Sequence, residues 1–226
     1  MRVNEIFCSL QGEGFLAGLP SVFVRLAGCP LRCRWCDTKY AWDQTAGAHY
    51  SVAKIVRTVQ QAHSGFVVIT GGEPMTDSDL PQLVQELKAT GKHITIETAG
   101  IAFVPDMPCD LMSISPKLRN STPADATLAA VHEDSRLDIA VLRKLIDEYS
   151  YQIKFVVDCE DDLTEINQTL KEIGNADSEK VMLMPQAATR DELLAKSPMV
   201  AQMCKRTGFA FCQRLQVLLW NNQKGT

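Results

Sequence analysis

Three cysteines stand within eight residues, Cys29, Cys33 and Cys36, in the run Gly28-Cys29-Pro30-Leu31-Arg32-Cys33-Arg34-Trp35-Cys36-Asp37-Thr38. Thiolates this close, on a loop that begins with Gly and Pro, can wrap around one metal centre. Structural zinc usually takes four ligands, and the nearest further His or Cys is His49, thirteen residues on. A cubane iron–sulfur cluster on three cysteines instead leaves one iron without a protein ligand, open to a small molecule. Spacing alone leaves both readings standing: a catalytic cluster, or zinc completed by His49 or a remote Cys. The other five cysteines, Cys8, Cys109, Cys159, Cys204 and Cys212, are scattered. They do not form a disulfide framework and read as small buried apolar side chains. His49, His63, His93 and His132 have no mutual spacing that suggests catalysis and read as structural or surface residues.

The elements that must carry this loop follow from hydrophobic periodicity. Ser21 to Leu26 is a short β-rich run that leads straight into the cysteines. Ser51 caps a helix with Val52, Ile55, Val56 and Val59 on one face. Phe66 to Thr70 is a buried strand ending at Gly71-Gly72-Glu73-Pro74, which taken alone reads as an ordinary strand-to-helix turn and, beside the cysteine loop, as one where the missing Cβ atoms let backbone come close to a ligand. A helix with Asp79 as cap carries Leu80, Leu83, Val84 and Leu87, with Gly91 just past its end. Further strands are expected at His93 to Glu97, Leu111 to Ser115, Gln152 to Val157 and Val181 to Met184. Helices are marked by Leu142, Leu145, Ile146 and Tyr149, and by Leu163, Ile166, Leu170 and Ile173. Pro198 is expected to interrupt or restart the helical stretch after Met184. Strands alternate with helices about six times, which implies a parallel sheet with crossover helices, as a barrel, complete or partial, or an open doubly wound sheet. In such folds function gathers after the C-terminal ends of the strands, where the cysteine loop, Gly71-Gly72-Glu73, Thr98-Ala99-Gly100 and Ser115-Pro116-Lys117 all fall.

The 226 residues, 46% apolar and 22% charged, suit one globular domain spanning 1–226. Lys and Arg number 23 against 27 Asp and Glu, a net charge of −4, so no basic surplus points to nucleic acid. No apolar run approaches the roughly 18 residues of a membrane span, and Met1 to Glu5 lead directly into a patterned domain; a cytoplasmic protein is expected.

The cysteine loop after one strand and Gly-Gly-Glu-Pro after the next resemble the radical S-adenosylmethionine superfamily. The resemblance implies a [4Fe-4S] cluster on Cys29, Cys33 and Cys36 whose open iron is chelated by S-adenosylmethionine, reductive cleavage of that cofactor to a deoxyadenosyl radical, and hydrogen abstraction from a substrate. A narrower match runs through Asn4-Glu5-Ile6-Phe7, Ser9-Leu10-Gln11-Gly12-Glu13-Gly14, Val24-Arg25-Leu26-Ala27-Gly28-Cys29 and Trp35-Cys36-Asp37-Thr38. These segments are similar to the 7-carboxy-7-deazaguanine synthase family, from about Asn4 to Lys117 and more loosely to Gln186. That family converts 6-carboxy-5,6,7,8-tetrahydropterin to 7-carboxy-7-deazaguanine with loss of ammonia, in queuosine biosynthesis.

The resemblance implies an α/β fold, a modified, incomplete (βα) barrel, with the cluster loop at 28–38 and a variable C-terminal segment at about 209–226. It also implies that Thr38 gives an oxygen to Mg²⁺, a hard cation that suits such a ligand. Leu10, Gln11, Gly12, Glu13, Arg25 and Thr70 would meet the pterin, with Arg25 on its carboxylate, where a planar fork fits. Gly71, Gly72, Glu73, Ser115, Pro116 and Lys117 would meet S-adenosylmethionine. The partners implied are the small-molecule pterin, an external electron donor of flavodoxin or ferredoxin type, and a second copy in a homodimer, with neither nucleic acid nor membrane. Plainer roles compete: Thr38 capping a turn, Arg25 on a strand surface, Lys117 as a solvated charge, Glu13 in a tight turn. The tail Asn221 to Thr226 either closes over the pterin pocket or frays. Two other functions fit the cysteine spacing, a glycyl-radical-enzyme activase and a zinc-stabilised binding module.

Overall fold

A computed structural model describes residues 1–221 and 223–226. One nine-stranded sheet organises the chain: β1 (Arg2–Leu10), β2 (Pro20–Leu26), β3 (Ala48–His49), β4 (Phe66–Gly71), β5 (His93–Thr98), β6 (Leu111–Ile114), β7 (Tyr151–Val157), β8 (Val181–Pro185) and β9 (Ala210–Phe211). Its order is β3-β1-β2-β4-β5-β6-β7-β8-β9. From β2 to β9 every pairing is parallel, while β1 and β3 add an antiparallel edge. The sheet does not close: β3 and β9 are its two ends, each only two residues long, and β3 covers only Arg2 and Val3 of β1. This is an incomplete barrel.

Among the described residues six α-helices lie between strands, α1 (Val52–Gln60), α2 (Leu80–Lys88), α3 (Ala126–Ser135), α4 (Ile139–Glu148), α5 (Asp162–Ile173) and α6 (Arg190–Thr207), and α7 (Leu215–Trp220) follows β9. Side chains alternate along a strand, so each strand serves two environments. On the convex face Val24, Ile69, Ile96, Ile114, Ile153, Phe155 and Leu183 are fully or almost fully buried against Ile55, Leu83, Leu87, Leu142, Leu145, Ile166 and Val200 of the helices. On the other face the intervening residues are Arg25, Thr70, Glu97, Ser113 and Lys154, and they line a cavity. Parallel sheets ordinarily bury apolar side chains on both faces. Here the cavity face is mixed: Phe23, Val68, Val156, Met182 and Met184 are buried on it beside the polar residues.

Most elements lie where periodicity puts them, and three local expectations fail for identifiable reasons. Asp79 precedes α2 but makes no side-chain cap bond, because its carboxylate pairs with the N-terminal ammonium of Met1 at 3.1 Å. Pro198 does not interrupt its helix: α6 runs through it from Arg190 to Thr207. Proline cannot donate to the carbonyl four residues earlier, here that of Leu194, but both residues are exposed and water can serve the freed oxygen. Cys8 and Cys159 are exposed rather than buried, and Cys109 is partly so, whereas Cys204 and Cys212 are buried as expected. β1 and α3 have no counterpart in the periodicity reading. Phe7, Ser9 and Cys8 break the alternation of β1, and α3 buries only His132. Among the described residues no helix is long and apolar enough to cross a membrane.

Candidate active site

The cysteine loop leaves β2 at Gly28, whose φ of 98° is accessible only at a cost to residues with a Cβ. Backbone bonds pin its start, Gly28 N–H to Ala41 O at 2.8 Å and Cys29 N–H to Trp42 O at 3.1 Å. The far side rests on the short helical turn Arg119–Ser121: Arg34 N–H donates to Ser121 O at 2.8 Å and the Trp35 indole to Asn120 O at 3.0 Å. His132 braces the same loop. Arg32 N–H donates to its Nδ1 at 3.3 Å, so its proton sits on Nε2 and is given to Ser121 Oγ at 2.9 Å. The histidine is structural, and burial holds its pKa below the ordinary value.

The Gly71-Gly72 turn works differently from the expectation. A Cβ on Gly72 would lie 1.8 Å from Gly28 O, and one on Gly71 would lie 2.2 Å from Leu26 O. The backbone that these glycines admit is that of the cysteine loop itself, tied down by Gly72 N–H to Leu26 O at 3.0 Å and Glu73 N–H to Gly28 O at 2.8 Å. Glu73, only 3% exposed, accepts from Thr98 Oγ1 and from Ala99 N, both at 2.7 Å, and from Met75 N at 3.1 Å. Burial raises its pKa, and these three donors work against that rise. Glu73 therefore joins the loops after β4 and β5, and the turn's backbone is what remains to meet a ligand.

Cys29, Cys33 and Cys36 all line one cavity of about 260 Å³, and all are free thiols. Burial pushes the Cys29 thiol up to about 12 and the Cys33 thiol up to about 11, partly offset for Cys33 by the Lys117 charge. Thiols so placed stay protonated until a cation replaces the proton, as a metal–thiolate bond does. Among the described residues no His and no fourth Cys lines the cavity beside the three cysteines, so a four-ligand zinc site of Cys and His is not assembled there. Three cavity-facing thiols without a fourth protein donor fit a cluster that keeps one iron for a ligand.

The other expected residues divide. Leu10, Gln11, Gly12, Glu13, Arg25, Thr38, Thr70, Gly71, Gly72, Glu73, Ser115 and Lys117 line the same cavity. Pro116 does not; it is buried beside it. Thr38 makes no cap bond to the helical turn it precedes, and its hydroxyl lies 3.6 Å from Cys36 Sγ. Lys117 is no solvated charge: its ammonium donates to Ser115 Oγ at 2.9 Å and sits 5.6 Å from the centre of the Trp35 ring. Arg25 gives Nε to Glu5 Oε1 at 2.8 Å and stacks near Phe7, leaving its two terminal nitrogens without a partner among the described residues.

Away from the thiols the cavity wall is a chain of ion pairs. The segment after β1 folds inward, so that Gln11 Nε2 reaches Glu97 Oε1 at 3.2 Å and Phe15 N–H reaches Gln152 Oε1 at 2.8 Å. Between them Glu13 meets Lys154 at 2.8 Å, Arg214 at 3.3 Å and the Gln216 amide at 2.8 Å. Burial alone would raise the Glu13 pKa, but the charges of Lys154 and Arg214 hold it at about 2, so the carboxylate stays ionised. Burial acts against the Lys154 charge too, and Glu13 with Glu97 at 3.4 Å more than restores it. Glu13 is thus no mere turn residue. Glu97, Lys154, Arg214 and Gln216 were not foreseen. The available signal was polar residues at alternate positions of the expected strands, Thr95 and Glu97 in β5, Gln152 and Lys154 in β7. The C-terminal residues Gln223, Lys224, Gly225 and Thr226 also line the cavity, with the Lys224 ammonium 4.1 Å from the Tyr40 ring centre. Residues 223–226 thus lie along the cavity, while position 222 of the expected tail is outside the described residues.

The cysteine loop after β2 and the Gly71-Gly72 turn after β4 have the arrangement of a radical S-adenosylmethionine enzyme, and residues 24–116 match the Radical SAM superfamily. Over its whole length the chain is 44% identical to a 7-carboxy-7-deazaguanine synthase of Halobacterium salinarum, covering 93% of that protein. It is 40% identical to one of Rhodopirellula baltica, again over the whole chain and 89% of the relative. The crystal structure of QueE from Escherichia coli superposes with a TM-score of 0.72 at 26% identity, covering 93% of this chain and 92% of that one. The chain belongs to the 7-carboxy-7-deazaguanine synthase family.

Proposed function

We propose that this cavity converts 6-carboxy-5,6,7,8-tetrahydropterin to 7-carboxy-7-deazaguanine with loss of ammonia, feeding queuosine and other 7-deazapurine biosynthesis. The observation that carries this reading is one cavity lined both by the three thiols and by Glu13, whose carboxylate pairs with Lys154 and Arg214. When bound, a [4Fe-4S] cluster on Cys29, Cys33 and Cys36 supplies one-electron reduction of S-adenosylmethionine and so hydrogen abstraction from the substrate.

The chain's own residues do the holding. The Gly71-Gly72 backbone, Glu73, Ser115 and Lys117 border the cofactor's place, while Pro116 supports it from behind. Glu13 accepts ring N–H groups of the pterin, because an anion kept ionised is a dependable acceptor. The free fork of Arg25 takes the substrate carboxylate; its Nε bond to Glu5 fixes the direction of that fork. Leu10, Gln11, Gly12 and Thr70 fill the wall between them. Thr38 offers an oxygen for Mg²⁺, which keeps its remaining positions for water and substrate oxygens. Residues 223–226 shield the cavity from water, which strengthens each of these contacts. The electron comes from an external donor of flavodoxin or ferredoxin type, and the enzyme works as a homodimer.

The test is anaerobic incubation of reconstituted protein with S-adenosylmethionine, reductant, Mg²⁺ and the pterin, with products identified by mass. The expected result is 7-carboxy-7-deazaguanine together with 5′-deoxyadenosine, at a rate that falls when Mg²⁺ is withheld. Deoxyadenosine without the deazaguanine would refute the substrate while leaving the reaction class.

A further inference from the structure

Asp37 lies on the cysteine loop between Cys36 and Thr38, and Glu13 lies on the inward-folded segment after β1. No contact joins the two carboxylates directly; Arg214 stands between them. Its Nη2 pairs with Asp37 Oδ2 at 2.7 Å, its Nε faces Glu13 Oε1 at 3.3 Å, and its Nη1 donates to the Ala187 carbonyl just after β8. The residue is 8% exposed and immediately precedes α7, the last helix. One planar group with its donors in fixed directions thus spans the metal-bearing loop, the substrate-facing carboxylate and the C-terminal segment. Asp37 and Arg214 both line the cavity.

We propose that Arg214 is a positioning residue that couples the cysteine loop to the pterin subsite, so that Asp37, which does not touch Glu13, nonetheless sets the affinity for the pterin. The inference rests on the assignment of Glu13 to the pterin. Asp37 on Nη2 and the Ala187 carbonyl on Nη1 together fix the direction in which Nε meets Glu13; without Asp37 only the Ala187 bond opposes a turn of the guanidinium towards or away from Glu13. Lysine cannot replace it, because a single ammonium lacks the fork to serve both carboxylates.

The test is pterin affinity by anaerobic calorimetric titration on cluster-loaded wild type, D37N, R214A, R214K and the double variant D37N/R214A, with iron content and Tm recorded for each. Asp37 is partly exposed, so D37N should fold even if the buried arginine does not tolerate replacement. The expected result is a Kd raised about fivefold in D37N and about twentyfold in R214A, with R214K near R214A and the double variant no worse than R214A. Unchanged affinity in D37N would overturn the proposal, as would losses that multiply in the double variant. A D37N protein that loses iron in proportion to its affinity would overturn it too, since Asp37 would then act on the loop alone. If the wild type binds no pterin, the substrate reading falls, and thermal unfolding of D37N, E13Q and the pair decides the coupling separately. Non-additive Tm shifts between two residues that meet only through Arg214 support it, and additive shifts overturn it.

Discussion

Lys154 and Phe155 are neighbours on β7, both are buried, and they live in opposite worlds. Phe155 is fully buried among aliphatic side chains on the convex face, where packing is all that is asked of it. Lys154 is 2% exposed on the concave face, where Glu13 and Glu97 hold its charge. The difference teaches that a strand can be uniformly buried and still carry two kinds of energy. One face is stabilised by removal of apolar area from water, and the other is neutral only as long as every charge keeps its partner. The first face is tolerant of chemistry and intolerant of holes. The second is the reverse.

The largest effect should come from the end of the concave face that has no internal partners. Cys33→Ala should abolish iron incorporation and deoxyadenosine formation outright, read by iron analysis and product mass. A variant that retained both would remove the cysteine loop from the site. Next, Phe155→Ala should cost about 3–5 kcal/mol in urea unfolding, through the lost area and the cavity left behind, with the KM for pterin unchanged in the molecules that remain folded. Lys154→Met should show the opposite pattern, a KM raised at least about tenfold, because Glu13 and Glu97 then face each other without the intervening cation. A loss confined to stability in Lys154→Met would break the distinction between the faces.

A smaller effect concerns pH. The Glu13 pKa is lowered from its ordinary 4.5 to about 2, so its ion pairs contribute stability that is fully present above about pH 4.5 and is lost as pH falls toward 2. The urea midpoint should fall through that window in wild type and fall less in Glu13→Gln; equal acid sensitivity in both would show that other carboxylates dominate. The smallest change is at Ser113, which is fully buried on the concave face and accepts from Gln152 Nε2 at 2.8 Å. Ser113→Ala should cost about 1 kcal/mol by leaving that donor unpaired. No measurable cost would mean that water reaches Gln152.

Legibility followed the range of the physics. The Ser51 cap is decided within one turn, and its hydroxyl does accept from Lys54 N–H. The apolar faces of α1, α2, α4 and α5 are likewise local repeats, and they pack where periodicity places them. Pro198 shows the limit of a local rule, since whether a proline breaks a helix depends on whether the orphaned carbonyl meets water or protein. Asp79 shows it again: a cap was outcompeted by a chain terminus that is distant in sequence. The site residues nearest the cysteines were legible because their motifs are contiguous. Glu97, Lys154 and Arg214 were not, because each is an ordinary charged residue until its partners arrive from far along the chain.

The sequence by itself determined the alternation of strands and helices, the apolar face of each, and the identity of a loop that presents three thiols, because all of these depend on neighbours within a few residues. Only the tertiary structure decided which way each strand's polar alternate positions would point and which charges would meet there. Glu13 is ionised and aimed because Lys154, Arg214 and Gln216 come to it across more than half the chain, and Gly72 is glycine because the cysteine loop's carbonyl lies where its Cβ would be. A charge in a buried cavity takes its pKa, its direction and its use from groups that only folding brings within a few ångströms.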